Sequence, residues 1–192
     1  MRGSLRRRVV WGGVITALAL LIVGLWLFQP WKLVTHNSVD EAVPAAFEAP
    51  TATATTPETA ATAAPSVTST PPVLTTAPAG PKVLGEGAFV SQEHPTRGTA
   101  RVLEQGGARL LRLTGFSTSD GPDVHVWLSA APAGADWHAY DDGRYVRLGK
   151  LKATDGNINY PIPADADLTG MRSVVIWCDR FNVAFGSAPV DL

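Results

Sequence analysis

RSVVIWCDRFNVAFGSA, Arg172–Ala188, contains the strand on which the rest of the fold is built. Side chains alternate faces along a strand, so Val174, Ile176 and Cys178 share one face and Val175 and Trp177 the other. Both faces are apolar, which predicts a central strand with little solvent contact. Asp179-Arg180 breaks the run, and Asn182–Ala188 resumes it with Val183 and Phe185, so a hairpin across DRFN is expected. Upstream, Asp123–Ser129 alternates cleanly. Val124, Val126 and Leu128 point one way, and Asp123, His125, Trp127 and Ser129 point the other. Gln105-Gly106-Gly107-Ala108 reads as a hairpin turn, because glycine takes positive φ cheaply. Ser119-Asp120-Gly121-Pro122 and Asp155-Gly156-Asn157 read as further turns. About eight short strands result, at 86–91, 98–105, 108–115, 123–130, 145–152, 157–162, 172–178 and 182–188. They predict an all-β antiparallel sandwich over residues 82–192.

Outward from this domain the composition changes. Residues 29–81 form a Thr/Ala/Pro-rich stalk, with no aromatic residue between Phe47 and Phe89. Too little apolar surface is available there to offset backbone ordering, so the stalk is expected to be disordered. Extended at ~3.1 Å per residue, residues 49–81 would reach ~100 Å and hold the domain off a bilayer. The composition also suits O-glycosylation. Before the stalk, Val9–Phe28 carries no charge over 20 positions. As a helix it would span ~30 Å, one hydrocarbon core. Arg2, Arg6, Arg7 and Arg8 give residues 1–8 four positive charges, while only Lys32 follows the run closely. The positive-inside rule then predicts a single-pass cell-membrane anchor at residues 9–28, a cytoplasmic tail at 1–8 and an extracytoplasmic C-terminal domain. A cleaved signal peptide is the competing reading. Its apolar core is usually shorter, and FQPWKLVTH lacks the small-residue cleavage pattern.

The net charge of −1 excludes a general basic field for nucleic acid. One cysteine excludes an intramolecular disulfide framework and a Cys-rich zinc module. P-loop, nucleophile-elbow, Rossmann and HExxH patterns do not occur. Cys178 is therefore the main chemical candidate, as a buried small residue, a cofactor ligand, a redox thiol or an intermolecular crosslink. Its candidate co-ligands are His125 and Met171, with His94 and His138 considered beside them, and haem or copper is the cofactor such a set would hold. No His or Met follows Cys178, which argues against a blue-copper arrangement. The DWHAYDDG loop, with Asp136, His138, Asp141 and Asp142, matches no EF-hand spacing and reads as a solvated loop.

Four stretches taken together, HPTRGTARV (His94–Val102), LTGFSTSDGPDVHVWLS (Leu113–Ser129), LGKLKATDGNINYPIP (Leu148–Pro163) and SVVIWCDRFNVAFGSA (Ser173–Ala188), resemble the DM-13 domain family. The resemblance covers residues about 84–190. It implies a small β-rich electron-transfer module whose characteristic cysteine falls at Cys178, acting as a free thiol or through a bound group such as haem. No DOMON or catalytic domain accompanies it, so an electron donor and acceptor would be separate proteins. The alternative is a surface display module that captures a partner through Trp137, Tyr140 or Tyr145, with Cys178 as a core residue.

Overall fold

The computed structural model describes residues 2–29, 35–48 and 80–192. Its β domain has two five-stranded sheets. The strands of the first are β1 (Ser38–Asp40), β8 (Asp155–Ile162), β5 (Ala108–Ser117), β4 (Arg97–Gln105) and β2 (Lys82–Ala88), in that spatial order. Those of the second are β3 (Val90–Ser91), β10 (Val183–Pro189), β9 (Ser173–Cys178), β6 (Val124–Ser129) and β7 (Tyr145–Lys150). All pairings are antiparallel except β1 on β8. One apolar core joins the inner faces, with Leu111, Leu113 and Ile158 from the first sheet and Val126, Val174 and Ile176 from the second. This is the expected sandwich.

Strand β9 is central and buried along its whole length. Its inner residues Val174, Ile176 and Cys178 enter the shared core, and Val175 and Trp177 form a second cluster with Trp127, Tyr140 and Ala184. The second cluster is closed by the β6–β7 connection, residues 130–144. Tyr140 donates its hydroxyl to Ser187 Oγ (2.9 Å), and the Ala184 amide donates to the Trp137 carbonyl (2.8 Å). A two-faced apolar strand thus needs a cover on the side away from the sandwich, and this loop supplies it. The Gly-Gly hairpin also forms, with Gly106 and Gly107 at φ +59° and +82°.

Three expectations are corrected. The single strand over 86–91 is two strands, since the chain crosses between sheets at Phe89, whose ring packs edge-on to Phe116 at 5.3 Å. Asp155-Gly156-Asn157 is no turn but the start of β8. The disordered stalk over residues 29–81 fails for 35–48, which carries β1 and a 3-10 turn, Ala45–Phe47, with Phe47 packed on Leu103 and Leu110. Residues 49–79, the rest of that expectation, lie outside the described residues.

The chain also has one helix, α1 (Arg2–Phe28), on which side chains are described from Trp11 to Leu27. Among the described residues no helix is long and apolar enough to cross a membrane, so the single-pass anchor expected at residues 9–28 is without support there.

Within the core, Tyr160 is buried and its hydroxyl accepts the Lys152 amide at 3.0 Å. Burial pushes its phenol up from 10.0 to about 12. Between those values the unfolded chain has released the phenolic proton and the folded chain keeps it. Stability is therefore full below pH 10.0 and is lost as pH rises toward about 12. The expected loss is roughly 2–3 kcal/mol, read from urea unfolding across that window. Tyr160→Phe should flatten this alkaline slope, and an unchanged slope would assign it elsewhere.

Candidate functional site

Cys178 closes β9, pairing with Val124 of β6 on one side and Val183 of β10 on the other. In-register partners share a face, so its sulfur lies among valines inside the sandwich, and the residue is 0% exposed. Burial pushes the thiol's pKa up, outweighing the backbone N–H groups of Phe181, Arg180 and Asp123 that favour the thiolate. The protonated thiol is a poor nucleophile and a poor metal ligand. Sealed from solvent, it also cannot reach a second chain, which corrects the crosslink reading.

The expected co-ligands are not brought to it. His125 follows Val124 on β6 and so faces outward, on the Trp177 side of the sheet. Met171 precedes β9, whose Ser173–Cys178 run covers ~17 Å at ~3.3 Å per residue, so Met171 sits at the opposite end of the core. A cleft lined by Val124 and Asp123 measures about 100 Å³, against roughly 300–1,000 Å³ for ligand pockets. The residues around Cys178 therefore do not fit a haem, and the set Cys178, His125 and Met171 does not fit copper.

His125 instead joins a charged cluster. Its Nε2 lies 3.0 Å from Asp123 Oδ1 and 3.5 Å from Asp179 Oδ2. Lys150 Nζ is 3.2 Å from the same Asp123 oxygen, and Arg147 donates to Asp179 at 2.7 Å. Burial alone would raise the Asp123 carboxyl, but Lys150 and His125 together hold it below its usual range. Among the described residues these three, Asp123, His125 and Asp179, are close enough to share a cation. Lys150 and Arg147 already supply the counter-charge, so a cation would have to displace them. His138 Nδ1 donates to the Asn182 carbonyl at 2.7 Å and ties the covering loop to the β9–β10 turn. His94 packs on Phe185 with ring centroids 4.0 Å apart, and burial lowers its pKa. Tyr140, expected at a partner-binding surface, is fully buried.

The outer face of the second sheet carries what the sequence reading missed. Trp177 stacks on Trp127 with centroids 4.9 Å apart, and Trp127 stacks on Tyr145 at 4.5 Å and 10° between planes. The two indoles are 1% exposed and Tyr145 is 39% exposed, so the stack runs from the interior to the surface. The Arg147 guanidinium lies 4.6 Å over Trp127 and continues to Asp179. Trp127 Nε1 is buried without a hydrogen-bond partner. Alternation placed both indoles outward, but their meeting depends on strand order, which pairs Trp127 with Val175 and His125 with Trp177.

Residues 88–190, more than half of the chain, match the family described as Electron transfer DM13. No curated protein and no solved structure matches the chain.

Proposed function

Because the chain belongs to the DM13 electron-transfer family, we propose that its β domain shuttles single electrons between separate redox proteins at Tyr145, the exposed end of the stack Trp177–Trp127–Tyr145. The observation that carries this reading is the unbroken stack from buried indole to exposed phenol. Electron transfer falls steeply with distance, and the stacked rings here are only 4.5 and 4.9 Å apart between centroids. A one-electron acceptor on a partner takes an electron from Tyr145, whose phenolic proton passes to solvent. A one-electron donor returns the electron, and a proton re-enters from water. The Arg147 cation makes positive charge on Trp127 costly, so Trp127 is a bridge and Tyr145 holds the oxidised state.

We further propose that the domain works outside the cytoplasm, anchored by the full uncharged run Val9–Phe28, which is longer than the Trp11–Leu27 stretch whose side chains are described. Val9–Phe28 lies uncharged within one continuous helix, and its Leu20, Ile22 and Trp26 side chains are exposed. A helix apolar on every side needs an apolar environment. The arginines before it favour a cytoplasmic N-terminus.

The test is one-electron oxidation of the full chain by photogenerated tris(bipyridine)ruthenium(III), followed by electron paramagnetic resonance. The chain has three tyrosines, and Tyr140 and Tyr160 are buried, so a tyrosyl signal is expected from Tyr145. Tyr145→Phe should abolish most of that signal. A tyrosyl yield unaffected by Tyr145→Phe defeats this reading. Redox use of Cys178 itself is a second reading, favoured by the electron-transfer family match that spans it. Cys178→Ala separates the two: an unchanged radical yield leaves the sulfur a core-filling group, and a lost yield moves the role to it.

A further inference from the structure

Residues 35–47 follow α1 closely and are bound to the β domain along their whole course. Thr35 opens the contact, its Oγ1 donating to Asp120 Oδ2 at 3.2 Å, and at Asn37 the carbonyl accepts the Thr154 amide at 3.0 Å while the amide donates to Thr154 Oγ1 at 2.9 Å. Strand β1 then pairs in parallel with β8, Ser38 to Asp155, Val39 to Gly156 and Asp40 to Asn157. Past the strand, the Glu41 amide donates to the Asn157 carbonyl, and its carboxylate accepts the Asn159 amide (2.7 Å) and Lys152 Nζ (3.0 Å). Asn159 Nδ2 donates to the Ala42 carbonyl at 2.7 Å. The segment thus crosses the outer face of the first sheet from β8 toward β4, where Phe47 is buried against Leu103 and Leu110. Leu103 and its neighbour Glu104 are in turn the partners of Val83 and Lys82 on β2. The two ends of the Thr/Ala/Pro segment, at 48 and 80, therefore leave and rejoin the domain at the same corner of one sheet.

We propose that residues 35–47 are a docking strap that sets the β domain beside the end of α1, and that the Thr/Ala/Pro segment is not the spacer between them. Whatever conformation residues 49–79 adopt, the chain path from helix to domain is the seven steps from Phe28 to Thr35. At no more than ~3.6 Å per residue these reach ~25 Å, where a tether running from Phe28 to Lys82 would reach ~190 Å. Closing a long excursion onto one corner costs little more than closing a short one, because closure entropy grows only logarithmically with length. With α1 as a membrane anchor, the reading on which this consequence rests, the electron-exchanging surface stays near the bilayer. Its partners are then proteins whose own centres lie close to the membrane.

The test inserts a protease site after Ala60 in the full chain, reconstituted into lipid vesicles and pelleted before and after cutting. The domain is expected to stay with the vesicles after complete cleavage, held by the strap alone. Phe47→Ala combined with Glu41→Ala should leave the uncut protein in the pellet and free the domain once cut. Asp40→Cys with Asn157→Cys, side chains now 2.8 Å apart, should form a disulfide that holds both cut fragments together on a non-reducing gel. Release of the cut wild-type domain, or a double-cysteine chain that stays reduced under a mild oxidant, overturns the strap. If the uncut protein fails to pellet, the membrane reading is what fails. The strap is then judged by whether the cut fragments co-elute on gel filtration, co-elution supporting it and separation overturning it.

Discussion

Trp177→Ala is expected to remove about 3–5 kcal/mol of stability, the range for deleting a fully buried large aromatic side chain. Against a typical total of about 5–15 kcal/mol, that brings the β domain close to unfolding. Trp177 lies on the central strand and contacts Trp127 by stacking and Tyr140 edge-on, at 4.9 Å and 6.5 Å between centroids. Its ring fills the space between β9 and the covering loop, so truncation opens a cavity that the loop cannot collapse into freely. Hydrogen bonds from Tyr140 to Ser187 and from Gly134 to Ser187 pin the loop in place. The expected fall in Tm is on the order of 15 °C or more for a domain of this size, followed by circular dichroism. Trp177→Phe keeps a ring in the stack and should lose less than half as much. Trp127→Phe should be gentler still, since it removes the indole N–H that has no partner. A loss below about 1 kcal/mol for Trp177→Ala would mean that the loop closes over the gap and the ring does not hold it.

The sequence made this strand legible because periodicity acts on every residue of it. RSVVIWC has no polar residue facing either way between Ser173 and Asp179, and only a strand covered on both sides satisfies that pattern. What covers the outer side was illegible, because DWHAYDDG looks like any polar loop and its burial rests on Tyr140 alone. Phe89 hid a corner, since an apolar run reads the same whether it stays in one sheet or passes to the other. The strap was illegible for a different reason. Its signal is not in Ser38–Asp40, three residues without periodicity, but in the amides of β8 that it satisfies. At the candidate site, Cys178 was found by elimination, yet its proposed partners depended on register and strand ends. The alternation in DVHVWLS already set His125 on the face opposite Val124. That Val124, and not His125, lies beside Cys178 on the inner face follows only from the β6–β9 register. The Trp127–Trp177 contact was hidden by the same gap.

Gly156→Ala should undock the strap while leaving the sandwich folded. Gly156 has φ +115°, a conformation that costs a residue with a side chain about 1–3 kcal/mol. A Cβ there would also lie 1.9 Å from the Val39 carbonyl oxygen, a backbone atom that no rotamer change can move. Two neighbours of β8 could yield. On one side β5 pairs with β8 along most of its length and is held by the core through Leu111 and Leu113. On the other side β1 pairs through three residues only. The smaller contact gives way, and with it go the Glu41 bonds to Asn159 and Lys152 and the burial of Phe47. Exposing the phenyl ring alone accounts for about 1.5–3 kcal/mol. Amide hydrogen exchange distinguishes the outcomes. In Gly156→Ala the Glu41 and Thr154 amides, which donate across the strap, should exchange as fast as an unstructured chain. The β9 and β6 amides should keep most of their protection, since those strands pair with β7 and β10 and not with β1. Loss of protection throughout would place β1 inside the cooperative unit of the domain, and retained protection at Glu41 would mean that β8 absorbs the methyl group by twisting.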